Sequence, residues 1–355
     1  MNPIELTKEL IKIESSDNCI DIANYIGKIF SGKGFKIIKQ DVDERGYNLI
    51  IKKGDPKLVF FCHMDTVKAD KESWTKEPFS GITEKDKLYG LGSSDMKSGI
   101  AAAICSVINE NTENIMLVFD IGEETDLKGV KKFIDENVKF NPELVVFPEC
   151  TNMKIIGSNN GCIEIEIIAS GKSAHASTPE QGIDAGKLYN VVEELKEEIN
   201  KFKGSTLNLG FFKAGNEKNI NCVPDKARAT IDIRPTSELY KEGIPYIKKI
   251  ILKLLKKYNL NLVNFNIKSN LEPFNTDKSE IERLEKAFKI CNIDVVVDSA
   301  KFYTEAGIIK SRYKCPCVNV GPGEIDKAHR PDEFVKIENI IKCEKIFSEL
   351  VKSFN

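Results

Sequence analysis

The chain has 355 residues, which at roughly 150 residues per domain suggests about two domains. Hydrophobic residues make up 41% and charged residues 30%, which excludes a largely disordered chain and leaves enough apolar side chains for a sizeable core. The balance of 52 basic against 54 acidic residues gives a net charge of -2, without the basic excess of a nucleic-acid binder. No apolar run approaches the 18 or so residues that span a membrane. The opening Met1-Asn2-Pro3-Ile4-Glu5-Leu6 has neither the basic start nor the apolar stretch of a secretion signal, so the cytoplasm is expected. The ten cysteines are scattered and form no C-x-x-C pair. Free buried thiols in a reducing compartment are expected.

The first half alternates helices and strands. An amphipathic opening over 4–13 precedes a helix over 21–30, stopped by Gly32 and Gly34. Apolar runs at 49–51, 58–62, 115–119 and 144–147 read as strands, with helical patterns at 98–109 and 129–136 between them. Continuous apolar strands separated by helices predict a mainly parallel sheet flanked by helices, the α/β class. From Cys162 the texture changes, because Ile163-Glu164-Ile165-Glu166-Ile167 alternates as a half-exposed antiparallel strand does. A helix over 183–202, strands over 206–212 and 227–233, a helix over 237–258 and a strand over 261–267 complete a small α+β unit. The first texture then returns with a helix over 279–291, an apolar run at 295–297, a strand at 317–320 and a helix over 336–354. The expected organisation is one α/β domain, 1–161 and 273–355, interrupted by an α+β insertion over 162–272.

Only three histidines occur, His63, His175 and His329, each in a polar, Gly-rich or acid-rich setting. Imidazole is the commonest metal ligand and a common acid or base. His63, Glu123, Glu124 and Glu149 all lie just past the carboxyl ends of predicted parallel strands, the edge where open α/β sheets bind ligands. Carboxylates gathered at one rim need a cation, or they partly neutralise. Mixed His and Asp/Glu donors suit Zn, Co or Mn, and the lack of thiolates argues against a structural zinc. Taken singly, each acid has a plain alternative. Glu123-Glu124 fits a solvated loop, Asp95 a helix N-cap, and Glu149 a surface position.

The sequence resembles the dinuclear-zinc amidohydrolases that include acetylornithine deacetylase, succinyl-diaminopimelate desuccinylase, aminoacylase and carboxypeptidase G. The matching pieces are His63-Met64-Asp65-Thr66-Val67, Gly92 to Gly99, Gly122-Glu123-Glu124, Pro148-Glu149, Gly171 to Ser177, Asn221 to Pro224, Asp232 to Pro235, and Gly321 to Glu333. They keep the family's order and span nearly the whole chain. Lys68, where relatives often carry Pro, is a departure at a position that is not a ligand.

The resemblance implies a metal-binding α/β domain, a lid that also forms a homodimer, and two divalent ions, Zn or Co, with Mn possible. It implies that His63, Asp95 and Glu149 hold one ion and that Asp95, Glu124 and His329 hold the other, with Asp95 bridging. Asp65 would orient His63. Glu123 would be the general base. His175, on the lid, would donate to the oxyanion. Asn221 and Arg234 would bind the polar groups of a small N-acyl amino acid. Thr304-Glu305-Ala306 and the Gly321 to Glu333 segment look most like acetylornithine deacetylases, with Glu305 facing a cationic amine of the substrate. Succinyl-diaminopimelate, other acyl amino acids and dipeptides are the alternative substrates. A metal-free binding protein on the same fold is the remote alternative. Neither a membrane nor a nucleic-acid partner is expected.

Overall fold

The structure is a computed structural model that describes residues 1–136, 138 and 141–354. The chain divides into two compact units. The first holds 1–158, 275–299 and 308–355, and the second holds 159–274 and 300–307. The division therefore falls at 158/159 and 274/275 rather than at 161/162 and 272/273. In addition, the short segment 300–307, which carries Glu305, packs with the second unit.

In the first unit the sheet runs in the order Lys36–Asp43, Gly46–Lys53, Ile115–Asp120, Leu58–His63, Leu144–Phe147, Cys317–Asn319, Ile155–Asn159. Its centre is parallel: Leu58–His63 lies between Ile115–Asp120 and Leu144–Phe147, and Cys317–Asn319 runs parallel to Leu144–Phe147. These strands are apolar on both faces because both faces are covered, and every residue of Leu58–His63 and of Ile115–Asp120 is buried. Helix Ser98–Glu110 packs with Ile337–Lys352, and the side chains of Ala101, Ala102 and Ala103 are small enough for close approach. The margin of the sheet departs from the parallel reading. Lys36–Asp43 and Gly46–Lys53 form an antiparallel hairpin, and Gly46–Lys53 runs antiparallel to Ile115–Asp120. A separate three-stranded sheet, Phe334–Lys336 with Lys87–Tyr89 and Thr83–Glu84, is also present.

The second unit is a four-stranded antiparallel sheet in the order Thr206–Ala214, Lys226–Arg234, Cys162–Ser170, Asn261–Leu271. Ile163, Ile165, Ile167 and Ala169 are buried in one cluster with Val191, Leu195 and Ile199 of helix Leu188–Asn200 and Ile247 and Ile251 of helix Ser237–Lys257. The alternation read from the sequence is thus the inward and outward sides of one strand. Helix Leu188–Asn200 starts later than expected, after a 3₁₀ turn at Ala185–Lys187 that Asp184 caps by accepting from the Gly186 N–H. Among the described residues no helix is long and apolar enough to cross a membrane.

Candidate metal centre

The site is assembled at the carboxyl ends of the parallel strands of the first unit. His63 is the last residue of Leu58–His63, Glu123 and Glu124 follow Ile115–Asp120, and Glu149 follows Leu144–Phe147. Asp95 comes from the loop before helix Ser98–Glu110, and His329 from the loop before strand Phe334–Lys336. Two glycines let the backbones converge. A Cβ on Gly99 would stand 2.1 Å from the Pro148 carbonyl oxygen, and one on Gly321 would stand 2.3 Å from that of Glu149. Any larger residue at either position would push the Glu149 turn away.

The donor atoms of His63, Asp95 and Glu149 lie within 4.8 Å of one another, and so do those of Asp95, Glu124 and His329. Asp95 is common to both triads. Glu123 joins His63 and Glu124 in a third grouping of the same kind. The Nδ1 of His63 lies 2.9 Å from the Asp65 carbonyl oxygen, which can only accept, so Nδ1 carries a proton. In a neutral ring the Nε2 lone pair then points at Asp95 Oδ1, 3.2 Å away. His329 Nε2 likewise stands 2.9 Å from Glu124 Oε1 and 3.5 Å from Asp95 Oδ2. Lone pair facing carboxylate is repulsive unless a proton or a metal ion lies between them. The donor set therefore fits a pair of divalent ions of the Zn, Co or Mn kind.

The electrostatics agree. Hydrogen bonds to Asp95 and Glu124 raise His329 to about 10. Burial alone would lower His63, but the Asp95 bond and the charges of Glu149 and Glu123 carry it well above its usual value. Burial pushes Glu149 up to about 8, with help from Asp95 and Glu124 and against the pull of His63. Burial also raises Glu123 well above the carboxylate range, with Glu149, Glu124 and Asp95 adding to it over the opposing pull of His63. Burial works against ionised Asp95, but its bonds to His329 and His63 outweigh that and pull it well below the usual range.

Asp65 meets His63 through its main chain and uses its carboxylate elsewhere. Its backbone carbonyl holds His63, while its carboxylate is 3.9 Å from Nδ1. The carboxylate instead accepts from the backbone N–H groups of Gly122 (2.9 Å), Glu123 (3.3 Å) and Glu124 (3.1 Å). Gly122 has φ +88°, and this turn presents three successive N–H groups to one anion. Asp65 therefore fixes the turn that carries Glu123 and Glu124.

Sequence reasoning passed over two buried charges. Glu333 is 2% exposed and accepts from three N–H groups of the Asp95 loop. Lys97 is 1% exposed, donates to the Ile13 carbonyl at 2.8 Å, and is lowered to about 8 by burial. Bonds from side chain to backbone leave no periodic pattern, so neither role was legible.

The remaining expected site residues belong to the second unit. His175 is exposed, and its Nδ1 accepts from the Ser177 N–H at 3.2 Å and lies 2.8 Å from Ser177 Oγ. An N–H can only donate, so the neutral ring carries its proton on Nε2. Asn221 is a neighbour of His175, since its carbonyl accepts from the Ala176 N–H at 2.8 Å. Arg234 already forms a two-pronged pair with Asp232, with Nε to Oδ1 and Nη2 to Oδ2 both at 2.8 Å, and its Nη1 stands outside that pair. Glu305 is 2% exposed.

Residues 59–353 match the description "Peptidase family M20/M25/M40". The chain belongs to that family. It is a metal-dependent amide hydrolase. Curated relatives include an acetylornithine deacetylase of Buchnera aphidicola subsp. Schizaphis graminum, 29% identical over 99% of this chain and 97% of the relative. A probable succinyl-diaminopimelate desuccinylase of Staphylococcus aureus is 26% identical over 98% of this chain and 96% of the relative. Among solved structures, a Staphylococcus aureus tripeptidase superposes with a TM-score of 0.81 at 18% identity, covering 99% of this chain and 97% of that one. A Bacillus subtilis protein described as a dinuclear metal binding peptidase of family M20 gives a TM-score of 0.75 at 15% identity, covering 99% and 97%. At such identities these superpositions speak to the fold alone.

Proposed function

We propose that the protein removes the acetyl group from Nα-acetyl-L-ornithine, releasing L-ornithine and acetate. The observation that carries the reaction type is the pair of donor triads sharing Asp95, with the Glu123 carboxylate beside them and outside both. In this reading His63, Asp95 and Glu149 hold one divalent ion, and Asp95, Glu124 and His329 hold the second, with zinc or cobalt as the resident metal. The ions supply Lewis acidity, which polarises an amide carbonyl and acidifies water. Glu123 accepts the proton of the attacking water and returns it to the leaving amine nitrogen. Asp65 holds the Glu123 turn still while it does so. His175, with its proton on Nε2, donates to the developing oxyanion. Asn221 and the Nη1 side of Arg234 bind the polar groups of the amino acid, and Glu305 supplies the counter-charge for its side-chain amine. The second unit serves as the lid and as the homodimer contact.

The substrate is supported by relatives named acetylornithine deacetylase that align over nearly the whole chain. The Staphylococcus aureus relative favours N-succinyl-L,L-diaminopimelate as the second reading. The test compares kcat/KM for both substrates and for a small dipeptide on the zinc- or cobalt-loaded protein. Preference for acetylornithine by tenfold or more supports the proposal, and preference for either other substrate overturns it.

A further inference from the structure

Glu333 belongs to neither donor triad, yet at 2% exposure it is as buried as His63 and more buried than Glu124 or His329. One carboxylate oxygen accepts from the Ser94 N–H at 2.7 Å and the Asp95 N–H at 3.0 Å, and the other accepts from the Gly92 N–H at 3.0 Å. Its own carbonyl accepts from the Gly90 N–H at 2.9 Å. The Gly90 to Asp95 loop is thus pinned to one residue at four points. The loop is irregular, with Gly92 at φ +76° and Asp95 in extended backbone, and within it only two turn bonds hold it, from the Ser93 N–H to the Gly90 carbonyl at 3.0 Å and from the Lys97 N–H to the Gly92 carbonyl at 2.8 Å. Beyond Glu333, strand Phe334–Lys336 pairs in fixed register with Lys87–Tyr89, which leads into the loop. Four residues before Glu333 stands His329, at φ +57° in the left-handed region that few non-glycine residues adopt.

A buried carboxylate beside Asp95 is costly. Burial works against its charge, and three converging N–H groups are what support it there. An apolar residue would avoid that cost, but it would leave three buried N–H groups without an acceptor.

We propose that Glu333 is the positioning residue for the shared ligand: it fixes the backbone of the Asp95 loop against the His329 segment, so that one carboxylate can serve two metal ions at once. The inference rests on the dinuclear reading above. Asp95's two oxygens face different imidazoles, 3.2 Å from His63 and 3.5 Å from His329. A small rotation of the loop would favour one triad at the expense of the other. Glu333 therefore acts on the second binding event more than on the first.

The test titrates cobalt(II) into the chelator-stripped full-length protein and into Glu333→Gln. The readouts are stoichiometry, the cobalt d–d spectrum and the spin coupling between bridged ions. The glutamine matches the carboxylate in shape, but its NH2 would face the Gly92 N–H, donor against donor. Wild type should take up two equivalents. Glu333→Gln should bind the first nearly as tightly and the second about 10–100-fold more weakly, with reduced spin coupling. Glu333→Asp keeps the charge and shortens the reach; it should show the same weakening and serves if the glutamine variant does not fold. A purely structural role would lower the melting temperature and leave both cobalt steps and the coupling unchanged, and that result overturns the proposal. If wild type itself takes up fewer than two equivalents, the dinuclear reading fails and the inference fails with it.

Discussion

Loading the metal-free protein with two equivalents of zinc at pH 7 should release three to four protons, roughly one for each ligand or base that must lose its proton. The count comes from the site. His329 is protonated up to about 10, and His63 is held well above its usual value. Glu149 keeps a proton up to about 8. A ligating imidazole has to be neutral and a ligating carboxylate ionised, so each of these three gives up a proton. Asp95, pulled low by the two imidazoles, has none to give. Glu123, held high by burial, gives a fourth when the cations bring it down. Calorimetry at pH 7 in buffers of different ionisation enthalpy reads the number directly as a slope. Below about 8, the overall binding constant should rise about tenfold per released proton for each pH unit. The stability sign follows from the same shifts. Glu149's folded value, about 8, lies above its usual 4.5, so its contribution to the metal-free fold is full at low pH and fades as pH rises through about 8. His329's contribution is full below about 6.5 and fades through about 10. The melting-temperature gap between loaded and metal-free protein should therefore widen from pH 6 to pH 8. Release of fewer than one proton per two zinc ions, or a gap that narrows, would refute the reasoning.

Glu123→Gln should keep both metals and lose about 10²–10⁴-fold in kcat, as the removal of a general base does; near-normal turnover with full metal content would remove Glu123 from its role. Asp65→Asn keeps the carbonyl that holds His63 but sets an NH2 against at least one N–H of the Gly122 to Glu124 turn. Its kcat should fall and the ion held through Glu124 should bind more weakly, while the ion held by His63, Asp95 and Glu149 stays; loss of that ion first would mean that the Asp65 carboxylate serves His63. His175→Ala should lose kcat far more than it changes KM. A change confined to KM would mean that His175 binds the substrate without stabilising the transition state.

The parallel centre of the sheet was legible because strands covered on both faces must be apolar throughout, as 58–62 and 115–119 are. The hairpin at Lys36–Asp43 was not, since an edge strand half in solvent carries lysine, glutamine and aspartate with no clean alternation. The strands of two or three residues at 83–84, 87–89 and 334–336 are too short to show any period. The gathering of His63, Glu123, Glu124 and Glu149 could be anticipated because each follows a recognisable strand. Asp95 and His329 come from irregular loops and were assigned by resemblance alone. The carboxylates of Asp65 and Glu333 serve backbone N–H groups from segments distant in sequence, and that kind of contact exists only once the chain has folded.

The most direct test is a crystal structure of the zinc-loaded protein with anomalous data at the zinc edge. The account predicts two strong peaks. One should lie at bonding distance from His63, Asp95 and Glu149, the other from Asp95, Glu124 and His329, with Asp95 common to both. A single peak, a Glu123 oxygen bound in place of one of these ligands, or zinc at the Cys162, Glu164 and Asp232 cluster of the second unit instead would contradict it.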